Sequence, residues 1–104
     1  MDLVFAFLAG MFLTNSIPHI VSGVLGHKHM TPVAKDSTAM VNIVWGYINL
    51  LVGAWFFSQS GRGLASVLSL DNYSIAFLLG SIVIALTAAW MFSNPDKKWF
   101  PWFK

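Results

Sequence analysis

The 104-residue sequence contains no cysteine and no glutamate, and only 10% of its residues are charged. Without cysteine, disulfide bonds, thiolate metal sites and cysteine nucleophiles are excluded within these residues. Soluble domains carry about 25% charged residues, so the low charged fraction excludes an ordinary soluble protein. Glycine-rich phosphate loops and a serine–histidine–acid combination are also missing, and the sequence therefore predicts no enzyme.

Uncharged stretches dominate what is present. Residues 3–25, 39–57 and 73–92 contain no charged side chain. A helix rises about 1.5 Å per residue, so each stretch covers roughly 28–35 Å, which matches a hydrocarbon core about 30 Å thick. We therefore expect an all-α membrane protein, with three transmembrane helices forming one antiparallel bundle over residues 1–104. Asp2 stands where a secretory signal would carry Lys or Arg, which favours a retained first helix.

Positive charges predict the orientation of these helices. Loops rich in Lys and Arg stay in the cytoplasm of a bacterial-type or plasma membrane. Arg62 is the only basic residue on one side of the predicted spans. Five lysines on the other side place the N-terminus outside and the C-terminus in the cytoplasm: Lys28, Lys35, Lys97, Lys98 and Lys104.

The segment after the third span mixes aromatic rings with lysines. Asn94-Pro95 ends the predicted helix, since proline cannot continue its hydrogen-bond ladder. Residues 95–104 include three lysines, two tryptophans and two phenylalanines. Such residues suit the lipid headgroup region, so we expect an interfacial anchor. A partner-docking peptide is the alternative.

Polar and small residues recur at helical spacing on the first two predicted helices. On each helix they fall within about 60° of one another. Polar side chains in hydrocarbon seek partners and small residues let helices approach, so we expect these two faces to meet. The members of this polar seam are Asn15, His19, Ser22, Asn42, Trp45 and Asn49, with Gly46 and Gly53 as packing residues.

Depth in the predicted spans pairs the seam residues. Asn15 and Asn49 lie within about 3 Å of each other along the membrane normal. His19 falls at the level of Asn42, and we expect direct or water-bridged hydrogen bonds in both pairs. Pro18 predicts a kink in the first helix. Alternatively the helix breaks there and leaves His19 in a loop.

The third predicted helix carries mainly packing residues. Ala76 and Gly80 form a small-x-x-x-small pattern, which favours close helix contact. We expect this helix to pack in the bundle or against another copy of the chain.

Histidines are the candidate chemical groups. His19 is the only ionisable residue inside a span, and such residues raise a functional hypothesis. A neutral imidazole satisfied by Asn42 is the structural alternative. His27, His29 and Met30 carry donor types that suit copper, although a solvated loop explains them as well. Haem would need a second histidine at the depth of His19, as a second copy could supply. No cofactor is predicted.

A family resemblance rests on the first half of the chain. Its elements are Asn15-Ser16-Ile17-Pro18-His19, Met30-Thr31-Pro32, Ser37 and Asn42-x-x-Trp45-Gly46-x-x-Asn49. These elements resemble small bacterial multi-helix membrane proteins of uncharacterised function. The resemblance implies a three- or four-helix membrane protein and brings no activity, cofactor or partner with it.

Three functions remain as hypotheses. The first is an accessory or assembly subunit of a larger membrane complex or homo-oligomer. It has no catalysis of its own, and its partners are lipid, other subunits or further copies, not nucleic acid. The second is a small oligomeric transporter or channel whose path is lined by Asn15, His19, Asn42 and Asn49. The third is a haem or metal-binding membrane protein using His19 or the His27, His29 and Met30 group.

Overall fold

The computed structural model describes residues 1–61 and 63–103. Arg62 and Lys104, which enter the predicted topology, lie outside these residues. Three long helices make up most of the described chain: α1 (Asp2–Val24), α2 (Ala39–Gln59) and α3 (Asn72–Ser93). A short 3₁₀ helix, Leu64–Leu68, lies between α2 and α3.

All three long helices are long and apolar enough to cross a membrane. Across residues 1–61 and 63–103 there is no β-strand, and the only strand-like feature is one isolated bridge between His29 and Ser37. The expectation of an all-helical chain with three helices of membrane-spanning length is confirmed for this part of the chain.

Side-chain caps define where α2 and α3 begin. Thr38 caps α2 by accepting a hydrogen bond from the backbone N–H of Val41, at 3.2 Å. Asp71 caps α3 in the same way through the N–H of Ser74, at 3.0 Å. Such caps satisfy N–H groups that have no partner within the helix. Helix α1 continues through Pro18, so the alternative in which it breaks there is wrong.

Helix α1 occupies the middle of the structure. It packs along both α2 and α3, whereas within the described residues the backbones of α2 and α3 do not pack against each other. Gly23 lies against Ala39, and Gly53 lies against Leu13, so the contacts follow opposite sequence order along α1 and α2. The core of the fold is therefore the two faces of α1.

Glycines bring α1 and α3 together. A Cβ at Gly10 would overlap the carbonyl oxygen of Phe77, and one at Gly80 would overlap that of Phe7. Near this contact, the hydroxyl oxygens of Thr14 and Ser81 are 2.6 Å apart. Backbone thus meets backbone, which only small residues permit.

Replacing Gly80 by alanine tests this contact. The new methyl meets backbone rather than a flexible side chain, so the helices must separate. We expect Gly80→Ala to lower the free energy of unfolding by about 1–3 kcal/mol, as overpacking does. Gly63→Ala is the matched control, because nothing lies within 4 Å of that position. Denaturation in detergent followed by circular dichroism measures both. Equal stabilities of the two variants would contradict the close contact.

Candidate functional site

Asn42 joins α1, α2 and the loop between them. Its side chain is completely buried. The amide Nδ2 donates to the carbonyl oxygens of His29, Ser37 and Thr38 at 3.0, 3.1 and 3.0 Å. Oδ1 lies 2.8 Å from Nδ1 of His19. One side chain therefore satisfies polar groups from three segments of the chain.

The carbonyl partners of Asn42 determine the tautomer of His19. Because Nδ2 faces three acceptors, Oδ1 must be the atom that faces the imidazole. His19 Nδ1 then donates its proton to Asn42, and the other ring nitrogen, Nε2, carries the lone pair. The His19 side chain is buried, with 2% exposed.

A second amide pair lies further along the same interface. Nδ2 of Asn15 donates to Oδ1 of Asn49 at 3.1 Å. Nδ2 of Asn49 in turn donates to the carbonyl oxygen of Trp45 at 2.9 Å. The structure thus contains both pairs expected from depth, Asn15 with Asn49 and His19 with Asn42.

The remaining predicted residues lie around these pairs. A Cβ at Gly46 would come within 3.0 Å of the backbone nitrogen of Ile20, and one at Gly53 within 2.8 Å of that of Leu13. Both glycines therefore face α1 at close range. The other three side chains are half-buried: Ser22, Trp45 and Ala76.

The loop between α1 and α2 is folded. The hydroxyl oxygens of Thr31 and Ser37 are 2.6 Å apart, and the N–H of His29 donates to the carbonyl oxygen of Ser37 at 3.1 Å. Met30, Thr31 and Ser37 are buried. The expectation of a solvated loop at His27, His29 and Met30 is wrong for Met30, because the loop is folded and Asn42 and the loop's own hydroxyls satisfy its polar groups. It holds for His27, which is exposed.

The C-terminal segment packs on this loop. Nε1 of Trp102 donates to the carbonyl oxygen of Pro32 at 2.6 Å. Lys35 and Asp96 form an ion pair at 2.9 Å, and the hydrogen bond within it raises the pKa of Lys35. Phe103 is buried. Long-range contacts, rather than periodicity, position this segment, and the sequence reasoning missed them.

His29 lies beside His19 under the aromatic ring of Phe92. The two imidazole centroids are 5.3 Å apart, and the His29 and Phe92 centroids are 4.1 Å apart. Within residues 1–61 and 63–103, Nε2 of His29 is the one buried side-chain nitrogen or oxygen that has no hydrogen-bond partner. Burial, and secondarily the neighbouring His19, lower the pKa of His29. Both effects favour the neutral form of its imidazole.

A cleft opens between α2 and α3 next to the histidines. Its volume is about 160 Å³. The lining is mostly apolar, with a few polar side chains contributed by α1, the α1–α2 loop and α3. Residues that line it include Asn15, His19, Met30, Trp45, Thr87 and Phe92.

No group of three His, Cys, Asp or Glu side chains able to hold a metal occurs among the described residues. Of the three loop residues considered as ligands, His27 is exposed and Met30 is buried, and the His29 ring centroid lies 5.3 Å from that of His19. The sequence reasoning missed the His19–His29 contact.

Comparisons with protein-family models, curated proteins and solved structures find no match to this chain. The site is therefore interpreted from its geometry.

Removing the Asn42 amide tests its joining role. Asn42→Ala leaves the His19 N–H and the carbonyl oxygen of His29 without their partner, and each buried unpaired group costs about 1–3 kcal/mol. We expect a loss of about 2–4 kcal/mol in unfolding free energy and faster hydrogen–deuterium exchange in residues 29–38.

Asn94→Ala is the matched control. Asn94 also donates to a helix carbonyl, that of Trp90, but this hydrogen bond is exposed. We expect it to cost less than about 1 kcal/mol. Unchanged exchange in the loop of Asn42→Ala would contradict the role assigned to Asn42.

Proposed function

We propose that this chain is a small three-span membrane protein that serves as an accessory or assembly subunit without catalysis of its own. Its partners are other subunits of a membrane complex or further copies of itself. In this proposal the helices form an antiparallel transmembrane bundle, and residues 95–104 lie at the lipid headgroup region. Nucleic acid is not a partner.

The observation that carries the proposal is that residues of the polar seam form hydrogen bonds with one another and with the backbone of the same chain. Asn15 bonds to Asn49, and His19 bonds to Asn42. The amide groups of Asn42 and Asn49 also donate hydrogen bonds to backbone carbonyl oxygens. Polar groups that are hydrogen-bonded in this way hold helices together. Few donors and acceptors are then left to bind a substrate.

The outer surface of α3 supports a role in assembly. Only 6% of its most apolar stretch is buried inside the structure, compared with 28% for α1. Large apolar side chains cover the exposed face, including Leu79, Ile82, Leu86 and Trp90. Such a surface needs lipid or another apolar helix as its neighbour.

The absence of cysteine makes the orientation directly testable. We propose an extracytoplasmic N-terminus and a cytoplasmic C-terminus from the lysine distribution. Single cysteines at Ser69 and Lys98 report opposite ends of α3, and both positions are exposed. In intact cells, an impermeant maleimide should label Ser69→Cys and spare Lys98→Cys until the membrane is permeabilised.

Leu86→Cys, in the middle of α3, is the control that should stay unlabelled in both conditions. The reverse pattern, with Lys98→Cys labelled in intact cells, contradicts the orientation. Labelling of Leu86→Cys in intact membranes contradicts the transmembrane placement of α3.

Assembly is tested in the native membrane. A membrane-permeant bifunctional thiol crosslinker applied to Leu86→Cys should produce adducts larger than the monomer, either with a second copy or with another thiol-bearing subunit. Native mass spectrometry of tagged wild type in mild detergent should give the mass of the same assembly. Monomer alone in both measurements contradicts the subunit role.

A small oligomeric transporter or channel is the second candidate. It is favoured by the cleft, where Asn15 and His19 line a space open to the outside of the fold. This candidate predicts flux into vesicles that varies with pH and loses that variation in His19→Gln. Vesicles without flux, or flux that His19→Gln leaves unchanged, contradict it.

A further inference from the structure

The strongest unexplained feature of the structure is a nitrogen without a partner. Nε2 of His29 is buried and unpaired within the described residues. A buried polar atom is ordinarily hydrogen-bonded, so an exception calls for a physical reason such as an absent ion. His29 lies outside the transmembrane helices, in the loop that folds over the end of the cleft.

A second imidazole is available at the required distance. The ring centroids of His19 and His29 are 5.3 Å apart, and the rings are tilted by 55°. Two imidazoles that share one metal at a tetrahedral angle, with metal–nitrogen bonds of about 2.0–2.1 Å, place their centroids about 5 Å apart. The pair thus has the spacing of two ligands on one ion.

The hydrogen bond that orients the His19 ring is of the kind that orients metal-ligating histidines. Its Nδ1 donates to Oδ1 of Asn42 at 2.8 Å, which leaves the lone pair on Nε2. Metal-ligating histidines almost always donate their other ring N–H to a fixed oxygen, because this orients the ring. Asn42 is itself held by three backbone carbonyl oxygens.

The donor types point to a soft ion. Met30 is buried at 5% exposure. It lines the cleft with His19 and also a second surface cleft with His29. Thioether sulfur selects copper(I), and imidazole binds copper in either oxidation state. No carboxylate-containing group of three ligands occurs in the described chain, which disfavours the harder divalent ions.

The nearby charges permit a singly charged cation. Lys28, Lys35 and Asp36 line the outer cleft beside His29. Lys35 is neutralised by its ion pair with Asp96, and Asp36 offsets Lys28. A monovalent ion encounters less repulsion here than a divalent one would.

The size of the cleft favours a metal ion over an organic cofactor as its ligand. Pockets for small molecules occupy about 300–1,000 Å³, whereas this cleft holds about 160 Å³. Haem would also need its two imidazoles on opposite sides of the iron, further apart than these rings lie. The structure therefore gives no support to the hypothesis that a single chain binds haem through His19.

We propose that His19, His29 and Met30 bind one copper(I) ion at the junction of the α1–α2 loop and the cleft. The site would bind copper by coordination alone, with no change in its oxidation state. This proposal is independent of the subunit role, since a protein that binds no copper could still assemble.

Copper binding to the full chain purified in detergent tests the proposal. With copper(I) kept reduced by ascorbate and a chromophoric chelator as competitor, we expect one copper per chain. Loss of a residue that only orients a metal ligand lowers metal affinity by about 10–100-fold. His29→Gln removes a ligand itself, so we expect it to weaken copper binding by more than that. Met30→Leu should weaken copper(I) binding by about tenfold or more, since it removes the soft donor.

His27→Gln is the matched control, because His27 is an exposed histidine of the same loop. Its copper affinity should equal that of the wild type. His29→Gln is the preferred loss-of-ligand variant, since its Nε2 has no partner in the described residues and the substitution breaks no bond there. Unchanged circular dichroism and elution volume then separate lost binding from misfolding.

X-ray absorption at the copper edge identifies the donors. We expect two nitrogens at about 2.0 Å and one sulfur at about 2.3 Å, with the sulfur missing in Met30→Leu. The proposal is overturned by less than one copper per chain at saturation, or by equal affinities in wild type and His29→Gln. It is also overturned by a loss in His27→Gln as large as in His29→Gln.

Discussion

The fold depends on one buried amide. Asn42 lies in the first turn of α2. Its side chain is hydrogen-bonded to His19 on α1 and to three carbonyl oxygens around the α1–α2 loop. In an apolar surrounding, each of those groups would be costly to leave unpaired. The register of α1 against α2, the course of the loop and the tautomer of His19 are thus all consequences of where this amide points.

Small residues supply the second constraint. Gly46 and Gly53 bring α2 against α1, while Gly10 and Gly80 bring α3 against its other side. Helices in lipid gain little from hydrophobic burial against each other, so close backbone contact and hydrogen bonds have to hold them. The result is a central helix with a neighbour on each side, and among the described residues the backbones of these two neighbours do not pack against each other. His19 lines the cleft that also has residues of both neighbours in its lining.

The helices and the polar seam could be predicted from the sequence because both are periodic. Uncharged length defines α1, α2 and α3, and the 3.6-residue repeat places Asn15, His19, Asn42 and Asn49 on facing sides. The loop and the C-terminal segment follow no period. Trp102 reaches Pro32 across 70 positions of sequence, and His29 meets His19 only because the loop folds back. Contacts of that kind depend on the assembled helices and leave no local pattern.

Under the proposed transmembrane placement, the central position of α1 bears on how the chain would enter a membrane. This helix is synthesised before α2 and α3, yet the partner of its Asn15 lies on α2 and the neighbour of its Gly10 lies on α3. Inserted alone, α1 would expose an asparagine and a histidine to hydrocarbon. Entry of α1 and α2 together as a hairpin avoids that exposure, so release into lipid is favoured only after Asn49 has been synthesised.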